Sequence, residues 1–193
     1  MITAIVLAAG LSSRMGRPKM TLPWGKTTVL GQVLQVLAAA ELDEILVVTG
    51  GAHEAVEAIC DPAGVRTVHN REYASGEMLS SLQLGLLSVP PATETAMIVL
   101  GDQPGIQQEV VEALIRSYHG TGISLIMPSF QRRRGHPWLV ARELWPKLLE
   151  MRPPETPRDF LNRRSGIIHY VEVNTPSIVE DIDNPEDYLK SKP

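Results

Sequence analysis

Short runs of β-branched and apolar residues alternate along the chain with longer segments in which apolar positions recur every three or four residues. Such alternation marks βαβ units and an α/β fold with a mainly parallel sheet. Strands are predicted at Thr3–Leu7, Glu44–Thr49, Val65–His69, Ala96–Leu100, Ile123–Met127 and Ile167–Val173. Helices are predicted at Thr28–Ala40, His53–Cys60, Leu79–Leu87, Gln107–Tyr118, Arg142–Glu150 and Arg158–Arg163. In the first helix Val29, Val33, Val36, Leu37 and Ala40 recur at helical spacing and form one apolar face. Pro90-Pro91 and the stretch Arg152–Pro157 break regular structure. The chain beyond the second break is too short for an independent core, so residues 1–193 read as a single domain whose C-terminal segment packs back onto it.

Composition narrows the class. With 44% hydrophobic and 21% charged residues, disorder as the dominant state is excluded. The balance of 18 Lys and Arg against 22 Asp and Glu argues against nucleic acid as a general partner, while leaving room for a local basic pocket. The single Cys60 has neither a disulfide partner nor ligands at zinc spacing. The apolar start, Met1 to Gly10, lacks a basic segment and reads as a buried strand rather than a signal peptide. No apolar run approaches the roughly 18 residues of a membrane span. The expectation is a cytoplasmic, soluble protein without a membrane partner.

Candidate chemistry begins after the first strand. Residues 11–26 hold Arg14, Arg17, Lys19 and Lys26 and no acidic residue, a focus of positive charge that attracts a polyanion such as a nucleoside triphosphate. Small residues at Ala8, Ala9 and Gly10 let a ligand approach the backbone amides. The loop lacks the middle glycine of a dinucleotide fingerprint, which disfavours a nicotinamide oxidoreductase. It also lacks the leading glycine of a Walker loop, since position 20 is Met. Ala96–Leu100 is followed by Gly101-Asp102-Gln103-Pro104, placing Asp102 at the carboxyl end of a strand, where ligands of open α/β sheets bind. Asp102 there either holds a magnesium ion or begins a turn near the helix at Gln107. Asp181 and Asp183 alternate with Ile182 and share a face in an extended segment; one suits a metal, the other a cap for a helix starting near Pro185. His53, His69, His119 and His169 read as structural, and Trp24, Trp138 and Trp145 as packing residues.

Leu7-Ala-Ala-Gly-x-Ser-x-Arg14-Met-Gly16-x-x-Lys19 resembles the signature of the molybdenum cofactor nucleotidyltransferases, with Ala9 resembling their cytidylyltransferase branch rather than the guanylyltransferase one. The resemblance runs in order through Asn70–Leu86, Leu100-Gly-Asp-Gln-Pro104, Gly135-His-Pro137 and the closing Asp181-Ile-Asp-Asn-Pro-Glu-Asp-Tyr188. It implies a Rossmann-like three-layer α/β/α sandwich with a mostly parallel sheet and an antiparallel C-terminal strand. It further implies that Leu7, Ala8, Ala9, Gly10, Ser12, Arg14, Lys19, Asn70, Gly76 and Ser81 bind the nucleotide. Mg2+ would sit on Asp102 with Asp181, or with Asp183. Arg134, Gly135 and His136 would meet the acceptor, and Arg14, Lys19 and Asp102 would be catalytic. Taken alone, Asn70 also reads as a turn residue with Ser helix caps, and Arg132–Arg134 as a solvated face.

The reaction implied joins a nucleotide from CTP, or GTP, to the phosphate of a molybdopterin-type acceptor and releases pyrophosphate. Transient docking to molybdoenzymes is consistent with such a role. The residues leave two alternatives open. One is transfer onto another phosphorylated small molecule, such as a sugar, a polyol or phospholactate. The other is a non-catalytic nucleotide-binding maturation factor for molybdoenzymes.

Overall fold

The computed structural model describes residues 1–12, 15–75 and 77–193. Its strands are β1 Ile2–Ala8, β2 Pro23–Trp24, β3 Thr27–Thr28, β4 Glu44–Thr49, β5 Arg66–His69, β6 Thr95–Leu100, β7 Leu125–Phe130, β8 Arg133–Arg134, β9 Trp138–Ala141 and β10 His169–Glu172. Its helices are α1 Val29–Ala38, α2 His53–Cys60, α3 Glu77–Ser88, α4 Gln108–Thr121, α5 Trp145–Leu149, α6 Pro157–Arg163 and α7 Pro185–Ser191. The main sheet has the order β10-β7-β9-β6-β1-β4-β5, with β8 paired to β7.

Alternation along β1 divides the core. Ala4, Val6 and Ala8 face α1, α2 and α4, meeting Leu30, Leu37, Val56 and Leu114. Ile5 and Leu7 face the other way, toward Leu82 and Leu86 of α3, Leu148 of α5 and Phe160 of α6. Helices on both faces of the sheet give the expected three layers. A third, small cluster joins Met15, Leu22, Trp24 and Val29 near the start of the chain to Ile182 and Tyr188 near its end. Past the proline-rich stretch, Phe160 enters the core and β10 joins the main sheet. Among the described residues no helix is long and apolar enough to cross a membrane.

The mostly parallel α/β sheet agrees with the pattern of the sequence, but the antiparallel strand is not the C-terminal one. β10 runs parallel to β7, from His169 opposite Ile126 to Glu172 opposite Ser129. The reversed strands are β9, antiparallel to both β6 and β7, and the short β8, antiparallel to β7. The hairpin Gln131–Arg132, with φ of 49° and 64°, turns the chain back after β7, and β9 then fills the gap between β7 and β6. Four consecutive apolar residues in β9 show no alternation, because both faces are covered. β7 also extends through Pro128, whose carbonyl accepts a bond from the Gly135 amide at 3.2 Å.

Gly135 occupies a tight crossing between the end of β8 and the turn Pro176–Val179. A Cβ there would lie 2.0 Å from the backbone oxygen of Ile178. The neighbouring His136 amide donates to that same oxygen at 2.9 Å, so the backbone cannot simply move away. Gly135→Ala is expected to destabilise the fold by about 1–3 kcal/mol. A melting curve should show a fall of roughly 2–4 °C per kcal/mol; an unchanged midpoint would contradict this packing.

Candidate active site

The loop leaving β1 is shaped by its own polar groups. Ser12 sits at φ 52°, its carbonyl accepts from the Met15 amide at 2.9 Å, and its Oγ accepts from the Lys19 amide at 3.0 Å. These bonds fold the loop back and aim Lys19 across the carboxyl end of the sheet. Ser12 therefore shapes the loop as well as lining it. Leu7, Ala8 and Ala9 are buried at the strand end and Gly10 is exposed just beyond them. Arg14 and Gly76 lie outside the described residues.

Lys19 ends among carboxylates. Its Nζ contacts Asp102, lies 3.5 Å from Asp183 and donates to the carbonyl of Ile182 at 3.1 Å. Asp102, Asp181 and Asp183 each offer an oxygen within 4.8 Å of the others. The Ile182 amide donates to the Asp102 carbonyl at 3.0 Å, pinning the C-terminal tail to the end of β6. Partial burial and the charges of Asp183 and Asp102 push the Asp181 carboxyl above the ordinary range, with Lys19 opposing them. Three hard oxygen donors in mutual reach fit a small divalent cation.

Sequence spacing separates Asp181 and Asp183 into a ligand and a helix cap; the fold gives the cap to neither. Asn184, directly before Pro185, accepts from the Glu186 and Asp187 amides at 2.9 and 3.0 Å. Asp187 completes the capping box, which leaves both earlier carboxylates for the cluster. Nor does Asp102 cap α4, whose first turn starts from Gln107.

Beside the cluster opens a cleft of about 1090 Å³ lined by Arg132, Arg133, Arg134, Gly135, His136 and Asp181, among others. It brings the sequence-predicted acceptor residues next to the predicted metal residues. Arg134 is engaged by Asn162 of α6, which leaves Arg132 and Arg133 as the more exposed cations. Burial pushes the His136 imidazole down to about 4, so it stays neutral at physiological pH. Sequence reasoning passes over two further lining residues, Gln103 and Ser129. Gln103 carries a usable signal, since it follows Asp102 in the same strand-end motif. Ser129 carries none, because a lone polar residue in a strand reads as solvent-facing.

Asn70 and Ser81 meet on the other side of the sheet's carboxyl edge. The Asn70 amide donates to Ser80 and Ser81, each at 2.9 Å, and its oxygen accepts from the Glu72 amide at 3.0 Å. Asn70 thus ties the turn after β5 to α3. The rings of His53 and His69 pack at a tilt of 48°, 4.4 Å apart, beside Thr49, a contact that sequence distance hides. Trp24, Trp138 and Trp145 are all buried.

A model of the MobA-like NTP transferase domain matches residues 4–167. Molybdenum cofactor cytidylyltransferase of Escherichia coli is 33% identical over 196 residues, covering 99% of this chain and 95% of its own. Nicotine blue oxidoreductase of Paenarthrobacter nicotinovorans is 27% identical, covering 96% and 93%. The crystal structure of Rv0371c from Mycobacterium tuberculosis superposes with a TM-score of 0.85 at 28% identity, covering 98% and 95%. Its complex with manganese superposes at 0.78, again at 28% identity, covering 98% and 96%. The matched span takes in the β1 loop, the Asp102 strand end and the Gly-His-Pro segment, and the chain belongs to the MobA-like NTP transferase domain family.

Proposed function

We propose that the protein is a magnesium-dependent nucleotidyltransferase that joins the nucleotide of CTP to the phosphate of a molybdopterin-type acceptor, releasing pyrophosphate. The observation that carries this reading is the meeting of Lys19 with Asp102, Asp181 and Asp183 at the mouth of an Arg-rimmed cleft. The acceptor and the base follow the full-length similarity to the E. coli cytidylyltransferase. On this reading residues 1–193 act as one domain in the cytoplasm.

The acceptor phosphate carries its nucleophile ready made, since its second pKa is about 6 and it is dianionic at neutral pH. Its oxygen attacks the α-phosphorus of CTP, the new P–O bond forms, and the bond from the α-phosphorus to the bridging oxygen breaks. The electron pair leaves with pyrophosphate. No general base is required, in keeping with the neutral His136 beside the cleft. The difficulty is bringing two anions together. Arg132 and Arg133 attract the acceptor phosphate, and the Ala8–Gly10 backbone and Ser81 face the nucleotide. Arg14 and Gly76 are assigned to the nucleotide by the family resemblance, with Leu7, Ser12 and Asn70 shaping the pocket. Arg134, Gly135 and His136 shape the acceptor side. Asp102, Asp181 and Asp183 would hold the magnesium ion, which when bound offsets charge on the α-phosphate and the leaving group. Lys19 adds the chain's own positive charge at the same point.

Oxidoreduction is the second reading, favoured by the activity in the name of the Paenarthrobacter relative. It gives the carboxylate cluster no task and is disfavoured by the missing dinucleotide fingerprint.

Pyrophosphate release with magnesium and molybdopterin tests the reading across CTP, GTP, ATP and UTP. Release is expected with CTP and only when the acceptor is present. Release with GTP alone would overturn the base assignment; release with none of the four would overturn the reaction. In the same assay Lys19→Ala is expected to lower turnover by roughly 10²–10³ with its circular dichroism unchanged. A rate near wild type would remove Lys19 from the charge-stabilising role.

A further inference from the structure

The ammonium of Lys19 sits within the carboxylate cluster rather than at its margin. It contacts Asp102, lies 3.5 Å from Asp183 and donates to the Ile182 carbonyl at 3.1 Å. The Lys19 side chain is 12% exposed and that of Asp102 is 14% exposed, so the pair is largely closed off from water. A small divalent cation binds carboxylate oxygens directly, at about 2.0–2.1 Å for Mg2+. An ammonium in contact with the same oxygens fills the place that such an ion takes. Two cations there also repel each other, and more strongly in a partly buried site than in water. Lys19 and the ion are alternatives.

The side chain, not the backbone, is the part that can give way. The Lys19 amide donates to Ser12 Oγ at 3.0 Å, and the Lys19 carbonyl accepts from the Leu22 amide at 3.2 Å. Met20, next in the chain, is buried in the core. On the carboxylate side, the Ile182 amide donates to the Asp102 carbonyl at 3.0 Å. A lysine carries its charge on a flexible four-carbon stem, so the ammonium can swing while these bonds hold. The stem leads back to residues 11–26, which include no acidic residue. An ammonium released from the cluster meets no carboxylate on that loop and is left to pair with an anion from outside. A divalent ion offsets two carboxylate charges where the lysine offsets one, which favours the exchange.

We propose that Lys19 is a stand-in cation, one that holds the carboxylate cluster together in the metal-free protein and swings out when a divalent ion takes its place. The metal-free site pairs its charges internally; the loaded site presents a lysine to a polyphosphate. The inference rests on the cation site of the proposed function, and on neither its acceptor nor its base.

Amine acylation of the nucleotide-free protein, read by mass spectrometry, follows the lysine directly, with Lys147, 59% exposed, as the internal reference. Labelling of Lys19 is expected to be slow without metal and to rise to a plateau as Mn2+ is added, while Lys147 stays constant. Asp102→Asn removes the charge that holds the ammonium, and its Lys19 is expected to label at the fast rate with or without Mn2+. In calorimetric titration Lys19→Met is expected to bind Mn2+ about tenfold more tightly than the wild type. If Lys19→Met does not fold, labelling of the wild type decides. Tighter binding in Lys19→Met with wild-type labelling unmoved by Mn2+ means repulsion without release and overturns the exchange, as does equal affinity in the two proteins. Uptake of Mn2+ by neither overturns the cation site as well. Release of Lys19 by Mn2+ in a protein that transfers no nucleotide supports the exchange and overturns the transfer reading alone.

Discussion

Asp102, Asp181 and Asp183 each offer an oxygen within 4.8 Å of the others, and Lys19 brings a positive charge against Asp102 and Asp183. At the effective dielectric of a protein surface each such carboxylate pair repels by on the order of 3 kcal/mol. The site is therefore an arrangement that a small cation relieves, and the chain supplies one in Lys19. Three separate segments of the chain bring these groups together. Lys19 comes from the loop after β1, Asp102 from the end of β6, and the other two from the tail beyond β10.

Hydrophobic packing offsets the cost of that arrangement. Parallel pairing of β1 with β6 puts the β1 loop beside Asp102, with the Gly101 amide bonded to the Leu7 carbonyl at 3.0 Å. The small cluster of Met15, Leu22, Trp24, Val29, Ile182 and Tyr188 then draws the tail against the loop. Tyr188 reinforces it with a hydroxyl bond to the Pro23 carbonyl at 2.6 Å. Ile182 is buried in that cluster between two aspartates that face outward to the site, so apolar burial holds the acidic pair in place. The same tail passes Ile178 across Gly135, which couples the Arg-rimmed side of the cleft to the carboxylate side.

Much of this is legible in the residues. The alternation of strands and helices and the basic loop after β1 follow from local pattern, as does the carboxylate at a buried strand end. The features that escape local reading depend on contacts distant in sequence. β9 is hidden because a short strand covered on both faces has no period to detect. Spacing points to Asp181 or Asp183 as the helix cap, but position decides capping, and Asn184 stands next to Pro185. Gly135 reads as a ligand-loop glycine, while the structure adds a backbone crossing that no side chain would allow. Gln103 and Ser129 are ordinary polar residues in the sequence; only the fold brings them to the lining of one cleft.

The proposed chemistry depends first on the carboxylate cluster being the cation site. Calorimetric titration of Mn2+ into the nucleotide-free protein, with Asp102→Asn as the comparison, addresses it without reference to any acceptor. One ion taken up per chain is predicted, with its loss in the variant and the melting temperature preserved. Equal uptake by wild type and Asp102→Asn would contradict it.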